Sequence, residues 1–157
     1  MTTPVAASSG RSSTIVTSIS IERPPDLVWP YLVDWERLGT WMQEASDIQV
    51  PSAVREGVGV EAVATIRIAG ITTRDPIHVT RWEPPRVLEI RHLGWVKGTG
   101  YMQLSPSATG TDVHWREEYE PPWGPLGAAG MRMVRPLMRR VFRRDLRALK
   151  EKVERER

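Results

Sequence analysis

The feature that most constrains this chain is a change of hydrophobic period. From residue 46 to 120 apolar side chains recur every second position, and from residue 131 they recur every third or fourth. The alternating region divides into candidate strands at 46–50, 58–68, 72–82, 86–92, 97–105 and 110–119. The breaks carry turn chemistry: Arg55-Glu56-Gly57, Ala69-Gly70, Glu83-Pro84-Pro85-Arg86 and Ser107-Ala108-Thr109-Gly110. Gaps this short make hairpins, so the strands predict an antiparallel meander; parallel pairing would need longer crossovers. After Pro121-Pro122, the residues Met131, Val134, Met138, Phe142, Leu146, Leu149 and Val153 form one helical stripe with arginines opposite. Pro136 lies inside that stripe and predicts a kink, with a shorter segment from about 124 leading into it. Ahead of the meander, Ile15, Ile19 and Ile21 share one parity in a strand at 14–22, stopped by Pro24-Pro25. A short helix is expected over 25–33, limited or bent by Pro30, and a second short helical piece over 35–43. A seven-stranded antiparallel sheet with one apolar face and one long striped helix predicts an α+β fold in which the sheet curls around the C-terminal helix.

A chain of 157 residues suits one domain with a substantial core, expected over 14–157 after a disordered lead at 1–13. The sequence has no cysteine, which removes disulfides, thiol nucleophiles and thiolate metal sites. Its three histidines, His78, His92 and His114, are well separated, so a dedicated zinc site is not expected. No apolar run approaches the roughly 20 residues of a membrane span, and the first residues lack the basic start and apolar block of a secretion signal. A cytoplasmic location is the default expectation. Residues 132–157 hold 11 of the 22 lysines and arginines against four acids, giving +7; the rest, with 11 basic and 15 acidic residues, is −4. The basic helix could meet nucleic acid or another anionic partner, or it could be a solvated face whose arginine stems cover apolar surface. The second is the plainer account, and nucleic acid is not the expected partner.

Strand parity nominates the interior. In 110–119, Val113, Trp115, Glu117 and Tyr119 share the more apolar side, which puts a carboxyl group indoors. A buried, unpaired carboxylate costs several kcal/mol, so Glu117 needs water, a basic neighbour or a raised pKa. A pocket wall suits it better than a dry core; a structural pair with an arginine, or a bulge turning it outward, would also serve. In 86–92, His92 follows Leu88 and Ile90 on the apolar side and could carry protons, or could be a satisfied structural histidine. In 58–68 the row Ala62, Ala64, Ile66, Ile68 leaves space as much as it fills it. In 97–105 the split is ambiguous, so Tyr101 could orient a ligand or face solvent. Met131, Val134 and Met138 near the kink suit an irregular apolar guest or ordinary packing. Among seven tryptophans, Trp95 and Trp41 could guard a cavity mouth. There is no phosphate loop, dinucleotide fingerprint, nucleophile elbow or metal-ligand spacing, so no cofactor is expected.

Several local patterns carry a resemblance. Ile21-Glu22-Arg23-Pro24-Pro25-Asp26-Leu27-Val28-Trp29, then Asp34-Trp35-Glu36-Arg37-Leu38 with Trp41, resemble the opening strand and short helices of the SRPBCC superfamily. Val113-His114-Trp115-Arg116-Glu117-Glu118-Tyr119-Glu120, followed by Pro121-Pro122-Trp123-Gly124-Pro125-Leu126-Gly127, resembles its last strand and the entry to its closing helix. That superfamily includes START domains, Bet v 1-like proteins and polyketide cyclases; Pro30 departs from its usual first helix. The resemblance covers about residues 14–155 and implies the helix-grip fold with a cavity between sheet and helix. It implies capture of a small apolar ligand, aromatic, polyketide-like or lipid-like, by a monomer or homodimer. Alternatively it implies a cyclase or aromatase in which Glu117 or His92 moves protons; a third class is an interaction module built on the basic helix.

Overall fold

The structure is a computed structural model that describes residues 12–156. The expected N-terminal lead therefore falls outside the described residues except for its end, and Ser13 already belongs to the first strand. The strands are β1 (Ser13–Ile21), β2 (Ala45–Gln49), β3 (Glu61–Ile68), β4 (Ile71–Glu83), β5 (Val87–His92), β6 (Lys97–Pro106) and β7 (Thr111–Glu120). Helix α1 spans Pro25–Val33, a six-residue 3-10 helix spans Trp35–Thr40, and α2 spans Gly124–Arg155. The strands form one antiparallel sheet in the order β1-β7-β6-β5-β4-β3-β2. The meander from β2 to β7 is therefore as expected, and β1 closes onto β7 as the opposite edge.

Local chemistry accounts for the joints. Helix α1 starts at Pro25, whose missing N–H is one that a first turn leaves unbonded anyway, and Pro30 removes one internal hydrogen bond. The β3–β4 hairpin turns in two residues, Ala69 and Gly70, both at positive φ, which matches the twist of the flanking strands. A register shift between Val79 and Arg81 bends β4 against β5.

Two expectations change. The second helical piece ends at Thr40, leaving Trp41 and Met42 as the link towards β2. Helix α2 runs unbroken through Pro136 for 32 residues, with no separate leading segment. Pro136 is exposed on it, where a lost backbone bond is met by solvent. The core lies under the second half of α2, where Phe142, Leu146, Leu149 and Val153 pack with Ile15 and Ile21 of β1, Leu104 of β6 and Val113 and Trp115 of β7. Lys150 donates to the Ser20 carbonyl at 2.8 Å, and the Glu22 amide donates to Glu154 at 2.7 Å, pinning this half to the end of β1.

Candidate functional site

A cavity of about 330 Å3 lies between the inner face of the sheet and the first half of α2, a size within the range of small-molecule sites. Its walls are mainly apolar: Ala64, Ile66, Ile77, Leu88, Ile90 and Met102 from the sheet, and Met131, Val134, Leu137 and Met138 from the helix. A polar cluster interrupts them on the sheet side. The inward parity of β4, β5 and β7 carries Asp75, His92 and Glu117 to adjoining points on this wall.

His92 donates from Nδ1 to Asp75 Oδ2 at 2.6 Å and from Nε2 to Glu117 Oε2 at 3.0 Å. Trp115, two residues before Glu117 on the same face of β7, donates Nε1–H to Glu117 Oε1 at 2.7 Å. The Gly94 amide donates to Asp75 Oδ1 at 3.3 Å. Glu117 is 3% exposed and held by two donors, which removes most of the burial cost that an unpaired carboxylate would carry.

The span needs explanation, because β5 and β7 are not neighbours. Strand β6 runs between them, so side chains on β5 and β7 start about two strand spacings apart, roughly 9–10 Å. Where the link crosses, β6 presents glycine: Gly98 pairs with His92 and Gly100 pairs with Glu117. A Cβ at Gly100 would stand 2.7 Å from Glu117 Oε1 and 3.0 Å from Ile90, closer than packed atoms tolerate. At Gly94 a Cβ would meet Asp75 Oδ1 at 2.8 Å. The relay therefore depends on side chains that are missing as much as on those present.

Burial alone would strip the His92 proton, but the charge of Glu117 and the hydrogen bonds to Asp75 and Glu117 override it and push the imidazole up to about 10. His92 is thus an imidazolium at neutral pH. Tyr119, whose ring lies 5.9 Å from His92, is raised well above the usual tyrosine range by burial and by the charges of Glu117, Asp75 and Glu44, so its hydroxyl keeps its proton. Asp75 and Glu117 each bond to His92, and among the described residues no group of three or more such side chains is arranged to hold a metal ion.

Of the residues singled out from sequence, Glu117, His92, Trp41, Ile66, Ile90, Trp95, Trp115, Tyr119, Met131, Val134 and Met138 all border the cavity. Tyr101 does not. Met102 and Leu104 take the inner face of β6, which leaves Tyr101 outside beneath the Arg116 guanidinium at 5.9 Å. Trp41 is no mouth residue: it is 1% exposed, edge-on to Trp115, and donates to the Tyr31 carbonyl at 3.0 Å. Trp95 does stand at the rim, 58% exposed and packed edge-on against Trp123. Glu117 pairs with a histidine and an indole, not with an arginine. Sequence reasoning missed Asp75, and with it Glu44 and Asp145; the alternating glycines Gly98 and Gly100 inside a strand were the available signal for a close approach on that face.

Similar proteins agree with this architecture. An uncharacterized protein of Mycobacterium tuberculosis is 29% identical over 131 residues, covering 78% of this chain and 89% of that protein. The structure of TTHA0849 from Thermus thermophilus superposes with a TM-score of 0.77 at 22% identity, over 90% of this chain and 97% of that one. The Zhui aromatase/cyclase from Streptomyces sp. R1128 superposes with a TM-score of 0.76 at 19% identity, over 92% and 94%. At those identities the two structures establish the shared fold. The sequence profile of the family described as polyketide cyclase / dehydrase and lipid transport matches residues 12–154, and the chain belongs to that family.

Proposed function

We propose that this protein captures a small apolar molecule carrying at least one hydroxyl group, with its body in the cavity and its hydroxyl on Glu117. The observation that supports this most is the pairing of a largely apolar wall with a fixed hydrogen-bonding cluster, Asp75–His92–Glu117. Removing apolar surface from water supplies the affinity, at roughly 25 cal/mol per Å2. Each Glu117 oxygen uses one lone pair on Trp115 or His92 and retains another for a ligand donor. No cofactor enters this reading.

Calorimetric titration with 1-naphthol, an apolar body with one hydroxyl, tests it. One molecule should bind per chain with a negative heat-capacity change. Glu117→Gln should weaken that binding by about 1 kcal/mol, roughly fivefold, while leaving naphthalene unaffected. Equal affinity of wild type and variant for 1-naphthol would refute the anchor.

A second reading is acid–base catalysis, favoured by the imidazolium held against the buried Glu117. Glu117 would take a proton from the carbon beside a ligand carbonyl, as ring closure and dehydration of a ketone-bearing chain require. Exchange of the α-protons of 2-tetralone for deuterium should be accelerated by wild type and slowed to background by Glu117→Gln. No acceleration by wild type would leave binding alone.

A further inference from the structure

A second acidic site borders the same cavity as the Asp75–His92–Glu117 cluster. Glu44, in the link between the 3-10 helix and β2, borders the cavity, and Asp145 of α2 lies beside it. Glu44 is 6% exposed and Asp145 is fully buried. Glu44 Oε2 and Asp145 Oδ2 are both buried and without a hydrogen-bond partner among the described residues. The only cation at hand among those residues is Arg144, half-exposed, 3.2 Å from Asp145 Oδ1 and 3.7 Å from Glu44 Oε2. The Gln43 amide adds a weak 3.4 Å bond to Asp145 Oδ1. One solvated guanidinium cannot neutralise two buried carboxylates, whereas one proton shared between the two orphaned oxygens would satisfy both.

We propose that Glu44 and Asp145 hold a single proton between them while the cavity is empty, and that on binding Glu44 turns this proton from Asp145 to a carbonyl oxygen of the bound molecule, Asp145 keeping its contacts with Arg144 and the Gln43 amide. This rests on the cavity being a ligand site. Asp145 already has Arg144 and the Gln43 amide, so it is the member that keeps the negative charge. Glu44 faces the cavity and has neither at hydrogen-bond distance, so it is the member that keeps the proton. Burial and the adjacent Asp145 raise Glu44 to about 9, which agrees with that assignment. The titratable and charged groups bearing on the pair are Arg144 from α2 and Tyr119 from β7. The cavity then has two polar points of opposite character: Glu117 accepts from a ligand hydroxyl, and Glu44 donates to a ligand carbonyl. The ligand class follows as an apolar molecule bearing both groups.

Infrared spectroscopy of the full chain tests both halves. At pH 7 the wild type should show the stretch of an un-ionised carboxyl group, absent in Glu44→Gln. With carbonyl-labelled 2-acetylnaphthalene bound, the ligand's C=O stretch should lie at lower wavenumber in wild type than in Glu44→Met, which has no donor. Glu44→Gln, whose amide can still donate, should restore most of that shift. A missing carboxyl band, or one that persists in Glu44→Gln, overturns the shared proton. An identical ligand stretch in wild type and Glu44→Met overturns the donor role, as does a ketone that stays out while 1-naphthol binds. Exclusion of both probes would instead overturn the cavity reading on which the proposal rests.

Discussion

The two halves of α2 share one sequence period and do different work. The second half packs: Phe142, Leu146, Leu149 and Val153 are buried, and Lys150 and Glu154 tie it to the end of β1. The first half covers the cavity without filling it: of the residues that border it, Val134 is 43% exposed and Leu137 42%. A stripe at helical spacing thus fixes which way a helix faces, and what it meets on that face differs along its length. The first half is held as part of one continuous rod whose grip lies further along the same helix, and that arrangement leaves space for a guest.

The largest effect that would break this contrast is at the gripping end. Leu149 has no exposed surface, and Leu149→Ala should cost about 2–5 kcal/mol of stability, read by urea unfolding. A loss below about 1 kcal/mol would mean that the second half is not the anchor.

The next effect is electrostatic. His92 rises from its ordinary 6.5 to about 10 on folding, so its stabilising contribution is complete below about pH 6.5 and is lost as pH rises through 10. Glu44 rises from 4.5 to about 9, so its ionisation costs the fold progressively across that interval, in the same direction. Between pH 6.5 and 9 stability should therefore fall, by roughly 1–3 kcal/mol. Glu44→Gln should make the fall shallower, and a flat or rising profile would contradict the assignment. Because Asp145 sits in the gripping half of α2, this charge accumulates where the helix is anchored.

The smallest effect belongs to the covering half. Leu137→Ala should change stability by less than about 0.5 kcal/mol, yet it should weaken capture of an apolar guest, because Leu137 borders the cavity. A stability loss as large as that of Leu149→Ala would erase the distinction between the halves.

The elements were readable from the chain because their signals are periodic. All seven strands and both α-helices fall within a few residues of where alternation, helical spacing and proline breaks put them, apart from the separate segment expected ahead of Pro136. Parity brought Glu117 and His92 to the cavity wall for the same reason. It failed at Tyr101, since β6 carries glycine at two inward positions and a polar residue is then easily assigned to the wrong face. Asp75 was hidden in β4, where Pro76 follows it and the irregularity at Val79/Arg81 breaks the strand's alternation. Glu44 lies in a link with no period at all, and Asp145 is a charged residue between Phe142 and Leu146 in an arginine-rich helix, where solvent exposure is the ordinary outcome. Contacts that join distant segments leave no local pattern to read.

The measurement that bears most directly on the cavity as a ligand site is fluorescence titration with the neutral apolar dye N-phenyl-1-naphthylamine, on wild type and on Ile66→Trp, which fills the hollow from β3. The account predicts saturable binding of one dye per wild-type chain, and its loss in a variant whose circular dichroism is unchanged. Dye binding that persists undiminished in Ile66→Trp, or that never saturates in wild type, would contradict it.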